Sequence, residues 1–200
     1  DFGDAPQNYP VLAANNGARH VILPGFFLGQ SVDAEPDGQP SGDALGDDIN
    51  PSTGDDEDGV RFLSPLIPGQ TAAIQVTASA QGVLNAWVDF NINGSWADDL
   101  EHIFTDVGIP AGTTTLSFFV PSSALPRATY ARFRFSRDGK ISFDGPAPDG
   151  EVEDYRFEQG RPRDCDQNCT GTNFWLAFPG NYAPDTNNPV QLSLCILGPP

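Results

Sequence analysis

The sequence predicts an all-β fold, an antiparallel β-sandwich of jelly-roll-like type whose long acidic loops carry the chemistry. Three observations lead there. Gly and Pro make up a fifth of the 200 residues, which suits short strands joined by turns. Two-residue alternation of apolar and polar side chains recurs at sandwich-like spacing. Helical periodicity is nearly absent.

Taken in order, Val60 and Phe62 mark a short strand. Ile74, Val76 and Ala78 alternate with Gln75, Thr77 and Ser79 in the next. Leu84, Ala86, Val88 and Phe90 line one face of a third, and Ile103 and Phe104 suggest another short piece. Leu116, Phe118 and Val120 follow, closed by Pro121. Ala131, Phe133 and Phe135 alternate with Tyr130, Arg132 and Arg134, and Val152, Tyr155 and Phe157 mark a late strand. The only helical candidates are a turn or two at 10–16 and 96–101. Arg132 and Arg134 are expected to pair across the sheet with Glu151, Glu153 and Asp154.

The stretch from Asp89 to Glu101 is the most informative in the chain. Asp89, Asn91 and Asn93 recur at every second position and Gly94 follows. Such spacing lets one tight turn point hard oxygen ligands at a common centre, with Gly at the sharp bend, as in calcium loops. Asx-Gly sequences also form ordinary turns, because Asn and Asp tolerate left-handed backbone. The acidic close of the loop favours calcium. Compared with an EF-hand, that close is one residue late: loop position twelve is Leu100, and the acid is Glu101. A strand rather than a helix precedes the loop, so this is a calcium loop on a β scaffold.

The theme repeats upstream. Asp33, Glu35 and Asp37 precede Gly38 with the same spacing, and Asp55, Asp56 and Asp58 precede Gly59 in a shortened form. Ten carboxylates fall between Asp33 and Asp58, with no Lys or Arg from Arg19 to Arg61. Such a run could be a solvated tail, but Gly and Pro punctuate it at turn-like intervals, so an ordered loop around cations is the reading adopted. The expected ligands are therefore Asp89, Asn91, Asn93 and Glu101, with Asp33, Glu35, Asp37, Asp55, Asp56 and Asp58 holding further calcium.

The formal charge of −17 excludes ordinary nucleic-acid binding and destabilises a compact chain unless cations neutralise it. No run of eighteen apolar residues suggests a membrane span. There is no signal peptide and no Met, so the chain reads as a processed or excised product. Cys165, Cys169 and Cys195 are an odd number, suited to one disulfide in an extracellular protein, with the pairing left open.

Six motifs, in order, resemble the GEVED domain. They are Asp1-Phe-Gly-Asp-Ala-Pro6, Gly17-Ala-Arg-His20, Asp33-Ala-Glu-Pro-Asp-Gly38, Asp55-Asp-Glu-Asp-Gly59, Trp87-Val-Asp-Phe-Asn91 and Gly150-Glu-Val-Glu-Asp-Tyr155. The resemblance spans 1–158. It implies an extracellular β-sandwich of bacterial secreted or cell-surface proteins, with acidic calcium loops and no enzymatic activity to carry over. The family's usual loop has an acid where this chain has Asn93, a departure expected to weaken that site. Residues 159–164 read as a linker, and 165–200 as a strand pair that begins a second module or is donated to a neighbour. Thr172–Tyr182 is similar to the N-terminal region of IgGFc-binding proteins.

The expected function is a calcium-stabilised structural or adhesive module at the cell surface, a filament subunit pairing head-to-tail with other copies of itself. The alternative is a carbohydrate-binding module that meets surface glycan with Trp87, Trp96 or Trp175. An enzyme is not expected: a Ser/His/Asp pattern is missing, and the paired carboxylates sit in turn motifs that calcium explains better.

Overall fold

The computed structural model describes residues 1–46 and 56–158, with Glu158 described in backbone only. The linker, the 165–200 strand pair with its cysteines, Trp175 and Asp55 lie outside the described residues. Those described are all-β, with one 3-10 turn at Ala13–Asn15. Nine strands follow in chain order: β1 Arg19–His20, β2 Val60–Phe62, β3 Thr71–Ala78, β4 Gly82–Val88, β5 His102–Ile109, β6 Gly112–Phe119, β7 Ala128–Ser136, β8 Pro146–Ala147 and β9 Glu151–Glu158. They form two antiparallel sheets, ordered β2-β3-β6 and β5-β4-β7-β9, and a small parallel pair, β1 with β8.

Alternation does what the sequence predicts. Ala72, Ile74, Val76 and Ala78 of β3 are buried, and the residues between them are only half covered. From the other sheet come Leu84, Ala86 and Val88 of β4 and Ala131, Phe133 and Phe135 of β7. The two sets share one core, where Phe118 meets Phe104 edge-on at 5.7 Å and Phe62 packs against Phe133 and Tyr155.

The four-stranded sheet is buried on its other face too. Ala5, Tyr9 and Val11 from the segment before β1 pack with Trp87 and Trp96 in a second cluster. The arm and Phe143 cover Arg132, and β1 with residues 142–145 covers Arg134, so neither arginine has exposed surface although both alternate outward from the main core. Arg132 forms a bidentate pair with Asp154, Nε to Oδ1 at 2.7 Å and Nη2 to Oδ2 at 2.6 Å. Its guanidinium lies 4.5 Å from the Trp96 ring, and Nη1 donates to the Pro10 carbonyl at 2.8 Å.

Several expectations need correction. Arg134 pairs with none of the three acids: its N–H groups go to the carbonyls of Arg19, Ser142, Asp144 and Gly145 and to His20 Nε2. Glu151 and Glu153 lie on the opposite face of β9 from Asp154, two residues apart as a strand's period requires. They point with Tyr155 toward the core side and accept the backbone N–H groups of Leu28 and Gly59. The Ile103/Phe104 piece is a full eight-residue strand. Residues 96–101 form bends and a turn, not a helix.

Candidate metal centre

The loop that follows β4 is built around Asp89, which has no exposed surface. Its backbone N–H donates to the Tyr130 carbonyl at 3.1 Å, and Val88 N–H donates to the Glu101 carbonyl at 2.9 Å, so the two ends of the loop are fixed side by side. Asp89 Oδ1 accepts the Asn93 N–H at 3.2 Å, and Oδ2 accepts the Gly94 N–H at 2.9 Å. Asn91 Oδ1 takes the Asn93 N–H at 3.0 Å and Asn93 Oδ1 the Ser95 N–H at 2.9 Å. Asp89 and Asn91 thus both turn an oxygen to the Asn93 N–H. Gly94 is required there: its φ is +82°, and a Cβ would sit 2.3 Å from Asn8 Nδ2.

Glu101 closes the loop. Its Oε1 accepts Phe90 N–H at 3.1 Å, whereas Oε2 is buried with no hydrogen-bond partner. Burial first, and then the Asp89 charge, push this carboxyl up to about 7. The one-residue offset from an EF-hand has a local cause. Leu100, at the position an EF-hand gives to Glu, has φ +73° and is 71% exposed. That left-handed step turns Leu100 out, and the residue after it turns in.

Two residues of the site were missed from sequence. Asp98 Oδ2 accepts Asn91 Nδ2 at 3.1 Å and Asn93 Nδ2 at 2.5 Å, and these bonds hold its exposed carboxyl below the usual range. Its place in the loop was the available signal. Tyr9 donates its hydroxyl to Asp89 Oδ2 at 2.6 Å from 80 residues away, and no local pattern could have indicated that.

The upstream acids are less uniform than predicted. Asp33 N–H donates to Asp56 Oδ2 at 2.8 Å, which joins two of the three acidic stretches. Glu35 accepts Phe2 N–H at 2.9 Å and is pushed up to about 8 by burial and by Asp33. Asp37 departs from this pair: its Oδ1 accepts Ala13 N–H at 2.7 Å, holding the 3-10 turn. Asp58 binds Gln30 through both carboxylate oxygens. Glu153 is pushed up to about 8 by burial, with Asp58 and Asp56 adding to the effect, and Glu151 is raised by burial and by Glu153.

Among the described residues, no three Asp, Glu, His or Cys side chains converge as a set able to hold an ion. The Asp89 loop differs in kind, since it mixes carboxylates with amide oxygens. Its donors are all hard oxygens, which suits calcium better than a transition metal. The buried, unpartnered Glu101 Oε2 is the feature that fits a cation there. Beside the loop a cleft of about 380 Å³ is lined by Trp87, Trp96, Asp98, His102 and Phe143 among others.

These features define an all-β domain with an oxygen-rich loop and a β9 strand opening on Glu-Val-Glu-Asp. Residues 83–158, from within β4 through the loop to the end of β9, match the GEVED domain. The resemblance from sequence reached back to residue 1, whereas the match begins at Val83. Neither the curated proteins nor the solved structures give a match.

Proposed function

We propose that this chain is a calcium-stabilised structural or adhesive module of the bacterial cell surface, built as a β-sandwich of the two facing sheets. The observation that carries this is Glu101, a buried carboxylate with one oxygen unpartnered, held at the mouth of a loop of oxygen donors. An apolar or hydrogen-bonding side chain would satisfy a purely structural turn better, because an unpaired buried charge costs several kcal/mol, about 3–5 where one partner is removed. Asp89, Asn91, Asn93 and Glu101 would hold the ion, with Asp98 able to join them. Calcium would supply the positive charge that this turn lacks. Asp33, Glu35, Asp37, Asp55, Asp56 and Asp58 are assigned further calcium. Head-to-tail pairing of copies through the 165–200 strand pair is proposed from the sequence alone.

Calorimetric titration of the chelator-treated protein tests the ion. Calcium should bind with a Kd of about 0.1–1 mM, as extracellular modules do. Asp89→Ala and Glu101→Gln should each weaken binding at least tenfold while leaving the strand content unchanged. No heat of binding and no bound calcium in the wild type would end this reading.

Glycan binding is the second reading, favoured by the cleft beside Asp98. Trp87 and Trp96 are 3% and 1% exposed, so neither offers an open ring face for a sugar to stack on.

A further inference from the structure

The N-terminal arm and the Asp89 loop are far apart in sequence yet share three contacts. The Tyr9 hydroxyl donates to Asp89 Oδ2 at 2.6 Å. The Tyr9 ring packs against Trp96, from inside the loop, with centroids 4.3 Å apart. Asn8 lies against Gly94 so closely that a Cβ at 94 would clash with its amide. From this arrangement we infer that Tyr9 is a positioning residue for the ion site, and that calcium at the loop controls the docking of the N-terminal arm on the sheet. The inference rests on the calcium reading proposed above.

The physical argument begins with Asp89. One carboxylate oxygen is oriented by the Asn93 N–H, and the other by Gly94 and by Tyr9. The first two donors belong to the loop and move with it. The Asp89 backbone is fixed to β7 through Thr129 and Tyr130, but among the described residues Tyr9 is the donor that reaches its carboxylate from outside the loop. Partners that orient a metal ligand from outside the coordination shell typically matter about 10–100-fold in affinity. Removing the Tyr9 hydroxyl leaves the buried Asp89 carboxylate one donor short.

On this sheet the arm is also held where Arg132 donates to the Pro10 carbonyl, where Asp154 accepts Ala5 N–H at 2.9 Å and where Asp1 accepts Val152 N–H at 2.8 Å. Ala5, Tyr9 and Val11 pack with Trp87 and Trp96, with Tyr130 and Phe143 against the same cluster. A loop that loses its ion loosens Trp96 and Asp89 together, and with them both halves of the Tyr9 contact. Linkage then requires reciprocity: whatever factor arm docking adds to calcium affinity, calcium adds to arm docking.

Full-length wild type and Tyr9→Phe provide the test, since Phe keeps the ring on Trp96 and removes only the hydroxyl. Calcium Kd is read by calorimetry, and hydrogen exchange is followed for the amides of residues 5–18 with calcium and with chelator. Tyr9→Phe should raise the calcium Kd by about tenfold. In the wild type, chelation should speed exchange across 5–18 while β3 and β6 amides keep their protection. The variant in calcium should exchange in the arm faster than the wild type in calcium. Should Tyr9→Phe fail to fold, the wild-type exchange comparison still decides. A wild type that binds calcium but exchanges equally in the arm with and without it overturns this inference and leaves the functional reading intact. Equal Kd values for the two proteins would do the same. A wild type that binds no calcium removes both.

Discussion

At the scale of single residues, the buried polar groups say more about this protein than its exposed ones. His20 is 5% exposed, with Nδ1 2.6 Å from the Asp149 carbonyl and Nε2 accepting from Arg134 Nε at 2.9 Å. That pattern fixes one neutral tautomer, with the proton on Nδ1. Burial and then Arg134 hold its pKa well below the ordinary value of 6.5, with the Asp149 carbonyl opposing the shift and Arg132 adding to it. In the unfolded chain His20 charges near pH ~6.5, whereas the folded protein refuses the proton. The contribution of this site is therefore fully present above pH ~6.5 and falls away as the pH drops toward the folded value. Glu35 and Glu153, both raised to about 8, pull the opposite way, since their burial costs least where they are protonated. His20→Gln separates the two trends. The stability advantage of wild type over His20→Gln in chemical denaturation should be larger at pH 7.5 than at pH 5. An advantage independent of pH would show that His20 is not held neutral.

The strands themselves were largely legible, because a face that must be buried leaves a period of two in the sequence. β3, β4, β6 and β7 were each marked by their inward residues. β5 was underestimated for a physical reason: it is an edge strand with register shifts against β4, and Phe104 and Ile109 are its buried apolar residues, so its alternation is broken. The two-residue pairs β1 and β8 carry no pattern at all. Side-chain partners across elements were harder. Period two correctly brings Asp154 to Arg132, but nothing in the local sequence says that a second Arg will be satisfied by four carbonyls and an imidazole. The oxygen-bearing residues of the candidate loop and its late Glu101 stand in the sequence, while Tyr9 joins them only in three dimensions. The β7–β9 ion pair yields a prediction at this scale. Arg132 and Asp154 are both fully buried, so removing one carboxylate leaves a guanidinium charge without its counterion. Asp154→Ala should cost about 3–5 kcal/mol in urea denaturation. Arg61→Ala, at the exposed position of β2, should change stability by less than ~0.5 kcal/mol. Comparable effects from the two substitutions would mean that the arm over β7 opens to water.

For the molecule as a whole, the question is how a chain of formal charge −17 stays compact. Self-repulsion of this size opposes folding, and few cationic side chains are present to offset it. Two remedies are physically distinct. Added salt screens exposed charges beyond the Debye length, about 10 Å at 0.1 M and 3 Å at 1 M, and acts wherever the charges lie. Calcium at the proposed site would act by mass action, since the unfolded chain lacks the site, adding ~2.7 kcal/mol at a hundred times Kd for each site. For a domain of this size 1 kcal/mol corresponds to about 2–4 °C in melting temperature, so one site is worth roughly 5–10 °C. Melting should therefore rise by that amount or more when calcium replaces chelator at 0.1 M salt. Raising the salt to 1 M in chelator should also raise it, but calcium should still add a further increment, smaller because the loop's carboxylates are partly screened. Magnesium at the same concentration should give little of this gain, because it demands a tight octahedral shell and keeps its waters. If 1 M salt abolished the calcium increment, or if magnesium matched it, the ion would be acting as general counter-charge to an acidic surface, and the Asp89 loop would be an ordinary turn.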